Sequence, residues 1–73
     1  MNEHHHYKED SIKIDKILEA AKEDIELLDQ LSFIAQTCDS YQNFKEMSIR
    51  AIVGLKCISK NEACLIFKKM EHV

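Results

Sequence analysis

From Ile12 to Cys38 the chain runs without Gly or Pro, and its apolar residues recur at helical rather than strand spacing. At 100° per residue, Ile14, Leu18, Ala21, Ile25 and Leu28 form one heptad-like stripe. Ile17, Ala20, Leu27, Leu31, Ile34 and Cys38 form a second stripe beside it. Together they span an arc of roughly 200°, about twice the minimum for a helix with one buried side. Asp15, Glu19, Lys22, Glu23, Glu26, Asp29 and Gln30 fill the remainder. The pattern predicts one long helix over residues 12–38. Such a helix would extend roughly 40 Å, longer than a domain of 73 residues is wide. A second chain or a partner protein is therefore expected against it, the alternative being that two short helices of the same chain cover it.

Two residues depart from the wheel. Asp24 falls near the middle of the apolar arc, where an unpaired carboxylate is costly. Its expected partner is Arg50, the one Arg in the chain, or a Lys of the following helix. Phe33 falls on the polar side, where a partner or a bend near the helix end must account for it.

Asp39-Ser40 interrupts the periodicity, and Asp39 stands three residues before Gln42, the spacing of a capping box. A second helix is predicted over 41–58. Its inner face reads Tyr41, Phe44, Met47, Ser48, Ala51, Ile52, Leu55 and Ile58, with Ile49, Val53 and Cys57 forming an outer apolar seam. Gly54 marks a close helix crossing in this reading. Ser59 followed three residues later by Glu62 is a second capping box, so a third helix is expected over 60–70, packed through Ala63, Ile66, Phe67 and Met70. Residues 1–10 are polar and aperiodic and read as a disordered tail, with Asp10 or Ser11 capping the first helix. Residues 11–73 then form a single helical domain. The fold class is all-α: a long helix, an antiparallel second helix and a short third helix, in a dimeric bundle.

Length and charge sharpen that expectation. A chain of 73 residues with no Trp, three Phe and two Tyr relies on aliphatic helix packing, and oligomerisation is a common supplement at this size. The net charge of −3 is unevenly spread. Residues 1–40 hold four Lys against ten Asp or Glu, and residues 41–73 hold six Lys or Arg against three Glu. An acidic half and a basic half suit mutual packing, and the basic half also suits phosphates. Three Cys is an odd count and no secretory h-region is present, which favours a reduced, cytoplasmic setting. No apolar run is long enough to span a membrane.

Candidate chemistry is sparse. No Gly-rich phosphate loop, nucleophile elbow or helix-borne His/Glu metal pair occurs, so no enzyme activity and no cofactor are expected. His4-His5-His6 lies on the tail, and the three Cys are too few and wrongly spaced for zinc, so no metal site is expected. Cys57 is the thiol expected to be exposed. Ile52-Val53, Cys57-Ile58-Ser59, Ala63 and Ile66 are similar in spacing to a helix-turn-helix, with Cys57 where a Gly is usual and Lys56 at an apolar position. That reading would offer Lys60, Asn61, Cys64 and Lys68 to a major groove, Lys60, Asn61 and Lys68 as its contacts and Leu65 beside them.

The leading expectation is a small regulatory protein–protein interaction module of inhibitor, antirepressor or adaptor type. It would use Ile14, Leu18, Ala21, Ile25, Leu28, Phe33, Ile49 and Val53 to meet itself, as a homodimer, and another protein. A DNA-binding helix-turn-helix regulator is the alternative.

Overall fold

The computed structural model describes the backbone of residues 2–72 and the side chains of residues 9–72. Its four helices are α1 (Asn2–Ala20), α2 (Ile25–Thr37), α3 (Tyr41–Lys56) and α4 (Lys60–Glu71). No strand occurs among the described residues. The chain is all-α, as expected, but the long first helix is two helices.

The break falls at Ala21–Asp24, where the sequence contains neither Gly nor Pro. The last turn of α1 tightens: the Ala21 and Lys22 N–H groups reach carbonyls three residues back, at 3.2 and 3.3 Å. Asp24 then adopts an extended backbone, φ −108° and ψ 91°, and caps α2. Its Oδ1 accepts from the Leu27 N–H at 3.3 Å, and its carbonyl accepts the first α2 bond, from Leu28 N–H, at 2.8 Å. The physical reason is the one that made Asp24 conspicuous. Continued helix would drive a carboxylate into an apolar face, whereas an N-cap gives it orphan N–H groups to satisfy. Folding α2 back also lets residues of both stripes reach one core, where Ile17, Ala21, Leu27, Leu31 and Ile34 are buried, while Ile25 of the first stripe stays outside it.

α1 begins at Asn2 rather than near Ile12, so the segment read as a tail carries helix. Asp10 does not cap α1. Its Oδ2 accepts the Tyr41 N–H at 3.0 Å, which places a carboxylate on the first turn of α3, where the helix dipole favours it. The cap of α3 itself is Ser40, whose hydroxyl accepts from Asn43 N–H at 3.1 Å, while Asp39 turns to the Asn43 side chain.

α3 packs against all three other helices, and this widens its buried face. Phe44, Ser48, Ile49 and Ile52 are buried, so Ile49, expected on the outer seam, belongs to the core. Met47 and Leu55, expected inside, are exposed. Gly54 marks no close crossing, because a Cβ there would meet nothing within 4 Å. Ser48 is fully buried, and its hydroxyl has no hydrogen-bond partner among the described residues.

α3 ends at Cys57, which sits in the left-handed region at φ 55° and ψ 47°. Ser59 then caps α4 with the expected reciprocal box: its hydroxyl accepts the Glu62 N–H at 3.2 Å, and Glu62 accepts the Ser59 N–H at 3.4 Å. Ala63, Phe67 and Met70 of α4 are buried.

Candidate partner-binding surface

Cap and core together fix how α2 faces outward. Leu27, Leu31 and Ile34 point inward, so residues on the opposite side must face solvent. Two of them are large and apolar: Ile25 is 77% exposed and Phe33 is 67% exposed. No bend turns Phe33 inward. The polar residues around them, Glu26, Asp29 and Gln30, are exposed as well.

The corner beneath Ile25 is held by an ion pair. Lys56 Nζ at the end of α3 donates to Asp24 Oδ2 at 2.5 Å. That ammonium, then the Leu27 N–H, holds the Asp24 carboxyl below the ordinary carboxylate range. The expected basic partner is thus a Lys of the following helix and not Arg50. Arg50 is exposed and lines a recess with Glu46, Ile49, Val53 and Lys60. A concave apolar area opens at the same corner, with Ala20, Leu27, Ile66 and Met70 in its lining and Ile25 on it.

Tyr41 anchors the other end of the bundle. Its ring lies 6.1 Å from that of Phe44 and 6.3 Å from that of Phe67, and the Lys13 ammonium sits 5.4 Å from its centre. Its hydroxyl donates to Glu71 at 2.5 Å. Burial, then the Glu71 carboxylate, pushes the phenol far above its usual titration range. With Asp10 on its N–H, one residue joins α1, α3 and the end of α4. The apolar periodicity placed Tyr41 on an inner face, but nothing in it pointed to the links with Asp10 and Glu71.

The eight residues expected to form an interface divide three ways. Ala21 and Ile49 are taken up by the chain's own core; Ile14, Leu18, Leu28 and Val53 are half-buried against it; Ile25 and Phe33 stand free. Lys60, Asn61 and Lys68 are all exposed on α4, joined to α3 by the turn Cys57-Ile58-Ser59, and Leu65 is exposed among them. Cys57 is an exposed free thiol, while Cys38 and Cys64 are half-buried and unpaired. Burial raises the Cys38 thiol above its ordinary value. No group of three or more His, Cys, Asp or Glu suited to a metal occurs among the described residues. His4, His5 and His6 fall where side chains lie outside the described residues. No described helix is long and apolar enough to cross a membrane. Comparison of the chain with protein-family models, with curated proteins and with solved structures returned no match.

Proposed function

We propose that this protein is a small regulatory interaction module that binds another protein, or a second copy of itself, through the outward side of α2. The observation that supports it most is the pair Ile25 and Phe33, two large apolar side chains on one helix left 77% and 67% exposed while Leu27, Leu31 and Ile34 of the same helix are buried. Leaving such groups in water forgoes roughly 1.5–3 kcal/mol each, and a docked partner would recover part of it. An inhibitor, antirepressor or adaptor in the cytoplasm, without catalysis of its own, fits this reading.

A photo-crosslinking amino acid at position 33, compared with one at Glu19, tests it in the native host. A discrete crosslinked product at 33 and none at 19 is expected. Equal labelling at both positions, or none at either, would overturn the reading. Sedimentation equilibrium at micromolar protein separates the two partner types. A homodimer returns twice the 8.5 kDa chain mass and reverts to monomer in Phe33→Glu.

DNA binding through α4 is a second reading, supported by Asn61 and Lys68 exposed together beyond a three-residue turn. The exposed Leu65 in their midst counts against it. Retention on heparin that falls steeply between low and moderate salt would favour it.

A further inference from the structure

Between α1 and α2 lies an open trough of about 400 Å³. Ile14 and Leu18 of α1 and Ala35 of α2 give it apolar walls, and the small side chains Ser32 and Ala35 keep the α2 side low. Three carboxylates line it, from Asp10, Asp15 and Asp39, and no Lys or Arg does among the residues whose side chains are described. Lys13 and Lys16 line a different recess, with Tyr41 and Glu71. The two ion pairs among the described residues, Lys22–Glu19 and Lys56–Asp24, involve none of these three carboxylates; Asp10 and Asp39 accept only neutral N–H groups, from the Tyr41 backbone and the Asn43 side chain.

We propose that this trough binds a basic amphipathic helix of a partner protein, a proposal that rests on the interaction reading above. The partner's apolar side chains lie on Ile14, Leu18 and Ala35, and its Lys or Arg residues face Asp10, Asp15 and Asp39. A helix is the occupant because both walls are helices whose backbone groups are already bonded. An extended segment would find no ladder to join, whereas a helix brings its own hydrogen bonds satisfied. A basic occupant is selected because an acidic one would set like charges against three carboxylates on both rims.

The test is fluorescence anisotropy with a labelled synthetic peptide of Leu and Lys at amphipathic helical spacing, titrated with the full chain. A Leu and Glu peptide of the same pattern serves as comparison. The Lys peptide should bind saturably and weaken as salt rises, and the Glu peptide should not bind. Asp15→Lys, at an exposed position, should weaken binding roughly tenfold. Glu23→Lys makes the same charge change outside the trough and should stay within about twofold. Amide shift changes should centre on Ile14, Leu18 and Ala35. Absence of saturable binding, equal binding of the two peptides, or equal weakening by Asp15→Lys and Glu23→Lys would overturn the trough. Phe33-dependent crosslinking that survives such a failure would leave the α2 reading standing, so the two fail separately.

Discussion

Of the three corners that join the four helices, the first and the last use different devices. Between α3 and α4 the turn is written in local chemistry: Cys57 takes the left-handed conformation, and Ser59 and Glu62 close a capping box on the next helix. Between α1 and α2 the residues Ala21, Lys22 and Glu23 would continue a helix without penalty. There the turn depends on Asp24 alone locally, and on Lys56 from 32 residues away. One corner is specified by its neighbours in sequence and the other by its neighbours in space. The second also shapes both proposed binding surfaces, because folding α2 back along α1 opens the trough and turns Ile25 and Phe33 outward.

The largest expected effect separates two adjacent leucines behind the Asp24 corner. Leu27 is buried and Leu28 is half-buried, whereas an unbroken helix would place both in apolar stripes. Leu27→Ala should cost about 2–5 kcal/mol, and Leu28→Ala distinctly less. Equal shifts in urea midpoint at equal slope would mean that α2 is rotated from the face described.

Next come the caps. Ser59→Ala should cost about 0.5–2 kcal/mol, the range for loss of an N-cap hydroxyl. Asp24→Ala should lower the urea midpoint more than Lys56→Ala does, because the alanine removes the cap while the Lys change removes only a solvent-exposed ion pair. Acid sharpens the contrast. The Asp24 carboxyl titrates below its unfolded value, so its contribution is present above about pH 4 and is lost as pH falls through the folded value. The stability gap between wild type and Asp24→Asn should therefore narrow on acidification. A gap independent of pH would reject the ion pair with Lys56.

Smallest are two gains at the other corner. Cys57→Gly should stabilise by about 0.5–1 kcal/mol, since Gly adopts the left-handed conformation without a Cβ clash but loses more chain entropy on folding. Gly54→Ala should gain a similar amount, about 0.5–1 kcal/mol, as helix propensity dictates where nothing opposes a methyl group. Both can be read from thermal midpoints. A loss at Gly54 would reveal a contact on that face, in an assembly for instance.

This difference between the corners explains what could be read in advance. Ser59-Glu62 and the start of α3 near Tyr41 were legible because capping is a matter of three or four residues. The inner face of α4 was legible too, since its buried residues Ala63, Phe67 and Met70 share one narrow side of the helix. The break at Asp24 was not, although its signal was present: an Asp in an apolar arc, two residues before the acidic Glu26, resembles the first turn of a helix as much as a flaw in one. Ile49 was misplaced because α3 touches three helices and buries a wider arc than a one-sided wheel allows. Asp10 and Tyr41, 31 residues apart, meet only through the fold. Of the candidate surface, the exposed ring of Phe33 was visible as an anomaly, while the trough beside it required the fold-back to exist.

That fold-back is the claim on which the rest depends, and a distance tests it. Ser11 and Gln36 are exposed and line the same trough, but on one continuous helix they would stand 25 residues, or about 38 Å, apart. Nitroxide labels at these two positions, with Cys38, Cys57 and Cys64 replaced by Ala, can be measured by pulsed electron paramagnetic resonance. A single population far shorter than about 38 Å is the expected result. A population at that separation would contradict the corner at Asp24, and with it the trough and the outward face of α2.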